Sequence, residues 1–238
     1  MRKRVLITGG TKGIGYAIAL LLAQSGYDLA LTWASDEDAA LAAAGTLSPL
    51  ADIKLIRADI SDSGSIDTIH SALEGTRLDG IIFNAGLTCR DSLEEIKPAD
   101  WERIFFANVH FPVFLLQRLM KSISEGGSIV FTGSAMGIYP HAVSLSYGVS
   151  KSAVHALVKN LVKTLSPRKI RVNAIAPGFV DTDWQKTKPA EIRSNIESKI
   201  ALGRFCLPEE VAEVYKLSLE NQYLNGEIIV VDGGYSYK

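Results

Sequence analysis

The chain has 238 residues, 47% of them hydrophobic, and a formal net charge of −1 at pH 7. This length and composition predict one domain, residues 1–238, with a full hydrophobic core. The balanced charges argue against nucleic acid or a membrane as partner. The two cysteines, Cys89 and Cys206, provide neither a disulfide framework nor metal-ligand spacing, so we expect packing thiols and no metal site. The apolar run at the start is too short for a signal peptide, which predicts a cytoplasmic protein.

The first predicted strand and the turn after it indicate a nucleotide site. Residues 5–8 are an apolar run expected to be buried on both faces, and residues 16–25 have the apolar periodicity of a helix. Between them lie Gly9, Gly13 and Gly15 in the spacing T-G-x-x-x-G-x-G. Glycines let the backbone turn tightly and approach a diphosphate, whose charge a helix N-terminus stabilises. A plain strand-to-helix turn would not need all three, so we favour nucleotide binding.

The second predicted strand, residues 28–33, bears on the choice of cofactor. Many NAD-binding chains end this strand with an acid that holds the ribose 2′-hydroxyl, but here the position is Trp33. Without a carboxylate a 2′-phosphate is not repelled, and Ser35 can donate a hydrogen bond to it while Lys12 supplies charge. The carboxylate of Asp36 would disfavour a 2′-phosphate, unless Asp36 is the cap of the next helix. We therefore favour NADP(H), with NAD(H) as the alternative.

Helices and strands continue to alternate along the chain. Helices are predicted over residues 36–47 and 65–73, and strands over residues 53–56 and 80–83. Such alternation predicts an α/β fold with a doubly wound parallel sheet and right-handed crossovers.

Polar and small residues follow the third and fourth of these strands. The carboxylate of Asp59 either accepts a hydrogen bond from the adenine amino group or caps the next helix. After the fourth strand, Ala85 and Gly86 are small enough for a nucleotide to lie against the backbone, and Asn84 can link neighbouring strands.

A long helix is predicted from Pro98 or Asp100 to about Ser122. Its apolar residues cover more than one face, so part of it is expected to pack on another subunit. Pro112 has no N–H, which leaves the carbonyl of Asn108 without its helical donor. A carbonyl of this kind can anchor an ordered water, although a kink filled by solvent is the alternative. We interpret Asn108 as the holder of a water that links the site with the outside.

A serine, a tyrosine and a lysine carry the predicted chemistry. Ser134 follows a strand at residues 128–132, and Tyr147 and Lys151 share one face of a helix predicted over residues 144–165. An ammonium beside a phenol lowers its pKa from about 10, which would make Tyr147 a general acid or base near neutral pH. The hydroxyl of Ser134, at the ligand edge of the sheet, could hold a substrate carbonyl against the tyrosine.

The rest of the chain is predicted to complete the sheet and cover the site. Strands are predicted over residues 170–175 and 226–231 and a helix over residues 208–219, giving a cofactor half (about 1–125) and a catalytic half (about 126–238). The polar segment at residues 179–201 is interpreted as a lid, with a surface loop as the alternative. Six residues could line the substrate pocket: Cys89, Ile138, Tyr139, His141, Phe179 and Trp184. His141 and His155 are expected to be surface or packing residues.

Taken together, these motifs resemble those of the short-chain dehydrogenase/reductase family over essentially the whole chain. The resemblance implies a single-domain, Rossmann-like sheet of about seven strands with helices on both faces. It also implies hydride transfer between a nicotinamide cofactor and an alcohol or carbonyl. Tyr147 would then donate or accept the proton, and Lys151 would lower its pKa and hold the nicotinamide ribose. Ser134 would orient the carbonyl, and Asn108 would support a proton relay through water.

The same resemblance completes the predicted cofactor site. Asp59 and Ile60 would lie at the adenine and Thr182 near the carboxamide. The full set comprises Gly9, Thr11, Lys12, Gly13, Ile14, Gly15, Ser35, Asp59, Ile60, Asn84, Ala85, Gly86, Tyr147, Lys151, Pro177, Gly178, Val180 and Thr182. Members of the family are commonly tetramers, with the two long helices and the C-terminal strand at the interfaces.

Within that family the chain is most similar to bacterial 3-oxoacyl-[acyl-carrier-protein] reductases, in size and in residues 202–205 and 208–212. This implies an NADPH-dependent carbonyl reductase acting on a 3-oxoacyl thioester or another small ketone, with fatty acid biosynthesis as the expected setting. One departure is Phe83, where the family has Asn. The acidic carrier protein is expected to meet basic residues near the active-site mouth, and Arg168 could be one, but just before the fifth strand, where the family often has another, this chain has Glu125. Glu125 argues against an acyl carrier protein as partner. The alternatives are an NAD-linked dehydrogenase of a polyol, sugar or sterol, and a non-catalytic NADP-binding regulator.

Overall fold

Seven parallel β-strands form one sheet in the part of the chain that the computed structural model describes, residues 2–90, 92–140 and 144–237. The strands run in the order β3-β2-β1-β4-β5-β6-β7. Their bounds are β1 (Arg4–Ile7), β2 (Asp28–Trp33), β3 (Ile53–Arg57), β4 (Leu78–Phe83), β5 (Ile123–Thr132), β6 (Arg171–Pro177) and β7 (Ile228–Val231). The predicted doubly wound parallel sheet is confirmed.

Helices cover both faces of this sheet. They are α1 (Gly13–Gln24), α2 (Glu37–Leu47), α3 (Gly64–Ala72), α4 (Pro98–Phe105), α5 (Phe111–Leu119), α6 (Leu145–Leu165), α7 (Asp183–Lys186), α8 (Ala190–Glu197) and α9 (Pro208–Glu220). One apolar cluster joins the sheet to α3, α5 and α6, and a second joins it to α1, α2 and α9. None of the helices within the described ranges is long and apolar enough to cross a membrane.

The position of β1 in the sheet explains why Val5, Leu6 and Ile7 are all apolar instead of alternating between apolar and polar. Leu6 packs in the cluster on one face of the sheet, whereas Val5 and Ile7 pack in the cluster on the other. Successive side chains of a strand point to opposite faces, so a strand covered on both faces needs an apolar residue at every position. This is the pattern that predicted a doubly buried strand.

The order of the strands in the sheet determines where a ligand site is expected. Strand β1 pairs with β2 on one side and with β4 on the other, so the chain changes direction across the sheet between β1 and β4. Ligands of open α/β sheets bind in the crevice beyond the carboxyl ends of the strands at such a point. The glycine-rich turn follows β1, Asn84 follows β4, and Ser134 follows β5, so all three lie at this edge.

The long predicted helix is interrupted in the middle. Helices α4 and α5 are separated by a π-helical turn, Phe106–His110, in which the Phe111 N–H donates to the carbonyl of Phe106. Pro112, which lacks the N–H that an α-helix requires, stands just after this turn. Wide turns of this kind are frequent at functional sites, and Asn108 lies within this one.

Two other segments differ from the prediction. Strand β5 begins at Ile123, five residues before the predicted start, because its pairing with β4 continues past an irregularity between Leu78 and Gly80. The segment at residues 179–201, named here the lid segment, contains α7 and α8, so it is helical in part rather than a loop throughout.

Candidate active site

Helix α6 presents three side chains in line, one helical turn apart. Tyr147, Lys151 and His155 are spaced by four residues, which places them on one face of the helix. This face packs against the segment that follows β5, and Lys151 reaches the last residue of β5. Lys151 and His155 are buried, and Tyr147 is partly buried.

The ammonium of Lys151 is fixed by the backbone. Its Nζ donates a 2.7 Å hydrogen bond to the carbonyl of Thr132 at the end of β5 and lies 5.5 Å from the ring centroid of Tyr147. Burial lowers the pKa of Lys151 to about 8, because a charged group loses hydration in the interior. The lysine thus remains mostly protonated at neutral pH.

The pKa of Tyr147 is shifted in the direction opposite to the one expected. Burial raises it above its ordinary value of 10, and a hydrogen bond with Ser134 opposes that increase. The charge of Lys151 alone would lower this pKa, but burial disfavours a phenolate. At neutral pH Tyr147 is a neutral phenol, which makes it a proton donor.

Ser134 is positioned by its neighbours in the segment after β5. Its Oγ accepts a 3.2 Å hydrogen bond from the Met136 N–H, and its own N–H donates to Nε2 of His155 at 3.4 Å. Ser134, whose hydroxyl is hydrogen-bonded to the phenol of Tyr147, thus has its backbone tied to α6.

His155 is a packing residue, as expected, but it packs on the site itself. A Cβ at Gly133 would lie 2.2 Å from its Nε2, and one at Gly137 would lie 2.9 Å from its Cε1. Burial first, and then the charges of Lys151 and Lys159, lower the pKa of His155 to about 4. The ring is neutral at pH 7, and its Nε2 serves as an acceptor. The sequence signal for this role was its spacing of four residues from Lys151.

A second residue that sequence reasoning missed is Tyr215 of α9. Its hydroxyl shares a 2.6 Å hydrogen bond with Oγ1 of Thr132, and its side chain is fully buried. Thr132 is therefore held by Tyr215 through its side chain while it holds Lys151 through its carbonyl. No feature of the sequence predicted that α9 reaches this strand end.

Asn108 links the π-helical turn to two other elements. Its Oδ1 accepts a 2.8 Å hydrogen bond from the Leu87 N–H, and its Nδ2 donates to the Leu87 carbonyl at 2.9 Å and to Oγ of Ser150 at 3.0 Å. The side chain thus fastens the loop after β4 to α6. The water relay through its carbonyl stays a prediction.

The loop after β4 joins the catalytic residues to the glycine-rich turn. A Cβ at Gly86 would lie 3.3 Å from Oδ1 of Asn108 and 3.4 Å from Nζ of Lys151. Two residues earlier, Nδ2 of Asn84 donates to the carbonyls of Thr8 at 3.0 Å and Gly9 at 3.2 Å. The predicted link between neighbouring strands is confirmed, and Ala85 lies against Gly9.

The glycine-rich turn has the geometry of an anion cradle. Gly9 and Gly13 have φ angles of 62° and 51°, and a Cβ at Gly15 would lie 2.1 Å from the carbonyl oxygen of Gly9, so glycine is required there. Helix α1 begins at Gly13 with no side-chain cap and no acidic residue in its first turn. Its first N–H groups are therefore suited to a diphosphate. Thr11 is buried in this turn, and Ile14 packs against the core.

The start of the lid segment reaches this cradle. The methyl group of Thr182 would lie 3.2 Å from a Cβ at Gly13. Pro177, Gly178 and Val180, whose cofactor contacts stay a prediction, anchor the start of the lid segment to the C-terminal part of the chain. The Gly178 N–H donates to the carbonyl of Val231 at 2.9 Å, and Val180 pairs with Cys206.

Lys12 and Asp36 form an ion pair at the predicted 2′-phosphate position. Asp36 also accepts the Ala39 N–H at 3.0 Å, so it is the cap of α2, the second of the two roles considered. Ser35 is exposed beside it. The charge of Lys12 is therefore partly compensated within the protein.

The capping alternative for Asp59 is wrong. Its Oδ1 accepts hydrogen bonds from the N–H and hydroxyl of Ser61 at 2.8 and 2.7 Å, and it is Asp62 that accepts from Gly64 at the start of α3. Asp59 thus remains an exposed carboxylate at the end of β3, while Ile60 is buried next to it.

Arg57 is a third residue that sequence reasoning missed. Trp33 and Arg57 are partners in the β2–β3 register, and the Arg57 guanidinium carbon lies 5.4 Å from the Trp33 ring centroid. A cation over an aromatic ring is held in place without losing its charge. Only the pairing of β2 with β3 brings this cation to the end of β2.

Of the predicted pocket residues, Trp184 is placed at the site: its ring lies edge-on to Tyr147, 6.4 Å away. Ile138 and Tyr139 are exposed near the site, and Cys89 is partly buried. Phe179 instead packs against Phe205, with ring centroids 5.8 Å apart. His141 lies outside the described residues.

Neither metal ligation nor thiol chemistry finds support among the described residues. No three His, Cys, Asp or Glu side chains converge there in a way that could hold a metal ion. The pKa of Cys206 is raised to about 11, mainly by burial, so this thiol is neutral and a poor nucleophile at pH 7.

Comparison with known proteins identifies the family to which this geometry belongs. A family model described as Enoyl-(Acyl carrier protein) reductase matches residues 9–236. The 3-oxoacyl-[acyl-carrier-protein] reductase FabG of Thermotoga maritima is 34% identical over 240 residues, which covers 98% of this chain and 97% of that protein. A short-chain dehydrogenase/reductase from Serratia marcescens superposes with a TM-score of 0.92 at 31% identity, covering 98% of each chain. The chain belongs to the short-chain dehydrogenase/reductase family.

A further similar structure is that of the angucycline C-6 ketoreductase LanV with bound NADP. It has a TM-score of 0.93 and 28% identity, and the match covers 98% of this chain and 95% of that one. As a short-chain dehydrogenase/reductase, the protein is an oxidoreductase acting on carbonyl or hydroxyl groups, and its cofactor is a nicotinamide dinucleotide. The uncapped start of α1 and the cradle around it fit such a cofactor.

The departure from the family pattern at Phe83 has a packing explanation. The Phe83 and Phe131 rings stack with centroids 4.8 Å apart, at the ends of the paired strands β4 and β5. Stacked rings here bury apolar surface in place of an amide. Asn84, the next residue, makes the polar links between strands.

Proposed function

We propose that the protein is an NADPH-dependent ketone reductase whose substrate is a 3-oxoacyl thioester or a closely related small ketone. The observation that carries this proposal is the arrangement of Tyr147, which is hydrogen-bonded to Ser134, lies beside the ammonium of Lys151 and faces Trp184 of the lid segment. A protonated tyrosine suits reduction, in which the enzyme donates a proton to the carbonyl oxygen. Oxidation of an alcohol would need the phenolate.

In the proposed mechanism, the hydroxyl of Ser134 holds the ketone oxygen and Tyr147 donates its proton to that oxygen. Lys151 stabilises the phenolate that remains and binds the nicotinamide ribose, which lowers the cost of the transfer. Asn108 supports the return of a proton to Tyr147 through water. A bound nicotinamide supplies the hydride. The residues of the predicted cofactor set bind it from the cradle of α1 to Thr182.

The preference for NADPH is supported by the end of β2. The position lacks an acid, and Arg57 lies over Trp33 with its charge available. Two similar solved structures, LanV and BdcA, contain NADP and NADPH. The ion pair of Lys12 with Asp36 favours the second candidate, an NAD-linked dehydrogenase of a polyol, sugar or sterol alcohol, because it weakens one cation that a 2′-phosphate would use.

The charges near the amino end of β5 weigh against an acyl carrier protein as partner. Glu125 forms an ion pair with Lys169 at 2.9 Å. The guanidinium of Arg168 donates to the carbonyls of Met120 and Ile123, so it is committed to the backbone. An acidic carrier would find few available cations there, so we propose that a small thioester or ketone is the substrate. A role in fatty acid biosynthesis depends on that substrate.

A homotetramer in the cytoplasm is part of the proposal. Phe114 on α5, Val149 on α6 and Val230 on β7 are large apolar side chains that are exposed in the single chain. They lie on the helices and the strand expected to form interfaces. Sedimentation velocity would measure the assembly.

The first experiment is a fluorescence titration of the purified protein with NADPH and with NADH, followed by an assay with acetoacetyl thioesters. Tighter binding of NADPH and oxidation of NADPH by the thioester are the expected results. Tighter binding of NADH together with oxidation of an alcohol would replace this proposal with the second candidate. Binding of NADPH with no turnover of any ketone would indicate the non-catalytic regulator.

A further inference from the structure

We propose that the lid segment binds an anionic group of the substrate, a phosphate or a carboxylate, through Arg193 and Lys188, together with Arg90 from the loop after β4. This inference rests on the proposed function, since it describes the substrate of the same site. The substrate would then carry a negative charge on a group that is remote from its ketone.

The position of the lid segment relates these cations to the reacting centre. Trp184 lies edge-on to the Tyr147 ring at 6.4 Å, and Thr182 lies against Gly13. Lys188 follows Trp184 by four residues, and its N–H donates to the carbonyl of Gln185 at 3.1 Å. A substrate that places its ketone at Tyr147 therefore extends past Trp184 toward Lys188.

Arg193 is fixed but incompletely bonded. Its Nη2 forms a 3.0 Å ion pair with Asp181, and its guanidinium lies over the Phe205 ring at 4.4 Å. Its Nη1 is buried and has no hydrogen-bond partner among the residues that the structure describes. A buried guanidinium donor without an acceptor is unfavourable, and an anion oxygen would satisfy it in a charge-assisted bond.

Lys188 and Arg90 have no compensating carboxylate within the part of the chain that the structure describes. Neither forms an ion pair with any residue in the described ranges, whereas Lys186 on the same lid segment pairs with Asp183 at 3.6 Å. Burial and the neighbouring charges of Arg90 and Arg193 lower the pKa of Lys188. Three cations that repel one another in a partly buried place are stabilised by a bound anion.

Arg90 comes from a different segment, the loop after β4, and its charge acts on Lys188. It lies four residues after Gly86, whose position is within contact distance of Asn108 and Lys151. The cations thus come from two segments that each contact the catalytic residues. The lid segment also contributes Gln185, whose Oε1 is buried without a partner in the described part of the chain and can accept an N–H of the same substrate.

The test compares pairs of ketones that differ only in charge. Acetoacetyl phosphopantetheine is paired with acetoacetyl pantetheine, and 4-oxopentanoate with its methyl ester, which separates a phosphate from a carboxylate. In at least one pair we expect the charged ketone to have a KM about tenfold lower, with a similar kcat, and we expect salt to remove the difference.

The variants assign the effect to the lid segment. Lys188→Gln and Arg90→Gln should each raise the KM of the charged ketone by about three- to tenfold and leave the neutral ketone unchanged. Lys186→Gln is the matched control, because Lys186 is exposed and already paired. Equal KM values within both pairs, or equal effects of Lys186→Gln and Lys188→Gln, would overturn the inference and leave the reductase proposal standing.

A binding measurement separates failure of the inference from failure of the proposed function. If no ketone is reduced, calorimetry with NADP⁺-saturated protein compares phosphopantetheine with pantetheine, and 4-oxopentanoate with its methyl ester. Tighter binding of a charged member that is lost in Lys188→Gln supports the anion site without any turnover. Equal or absent binding within both pairs overturns it.

Discussion

The catalytic residues and the residues at the adenosine end occupy the same edge of the sheet but are held in opposite ways. Ser134, Lys151 and Asn108 are buried, and each has at least one backbone hydrogen-bond partner. Lys12 and Arg57, in contrast, are exposed and are held by an ion pair and by an aromatic ring.

The difference predicts which property of the protein is easier to change. A buried polar group that loses its partner costs about 1–3 kcal/mol, so the catalytic group tolerates little substitution. Exposed ion pairs contribute only about 0–1 kcal/mol to stability. Single substitutions at exposed residues can therefore change the cofactor preference, whereas substitution of a buried catalytic residue also destabilises the fold.

The largest effect is expected from Tyr147→Phe, which removes the proton donor and keeps the ring. We expect kcat to fall by roughly 10²–10⁴-fold. Affinity for NADPH should be nearly unchanged, because the ribose contact of Lys151 remains. Steady-state kinetics and the fluorescence titration measure the two quantities. Tyr223→Phe, at a side chain that is 98% exposed, is the control. Full activity of Tyr147→Phe would mean that another group donates the proton.

His155→Leu tests whether the buried side of the site is maintained by its hydrogen bonds. The variant leaves the Ser134 N–H without an acceptor, and we expect the free energy of unfolding at pH 7 to fall by about 1–3 kcal/mol. His155→Gln, which retains an acceptor, should lose less. Urea denaturation measures both.

The pH dependence of stability sharpens the same test. The pKa of His155 is lowered from 6.5 to about 4, so between these values the unfolded chain binds a proton that the folded chain does not. The free energy of unfolding of the unmodified protein should therefore decrease as the pH falls from 6.5 toward 4. This contribution is absent in His155→Leu. Parallel pH profiles would show that His155 is not held neutral in the fold.

The smallest effect is expected at the exposed end, from Arg57→Gln. We expect affinity for NADPH to fall by about tenfold, because one cation near the 2′-phosphate is lost, while affinity for NADH and thermal stability stay unchanged. Lys54→Gln in the same strand is the control. Equal losses for both cofactors would place Arg57 at the adenine rather than at the 2′-phosphate.

The sequence determined those features that depend on local order along the chain. Apolar runs alternating with amphipathic segments predicted the doubly wound sheet, because each strand is covered on both faces and each helix on one. Gly9, Gly13 and Gly15 predicted the turn, since their backbone geometry and close packing exclude side chains. The spacing of Tyr147 and Lys151 predicted a shared helix face.

Only the tertiary structure decided how these features act on one another. The pKa of Tyr147 depends on burial as well as on Lys151, so its direction could not be inferred from spacing. Arg57 reaches Trp33 because β3 pairs with β2, and Tyr215 reaches Thr132 because α9 packs on the sheet beneath β5. Contacts between residues far apart in sequence carry no local signal. The roles of Arg57 and Tyr215 at the site could therefore be recognised only in the tertiary structure.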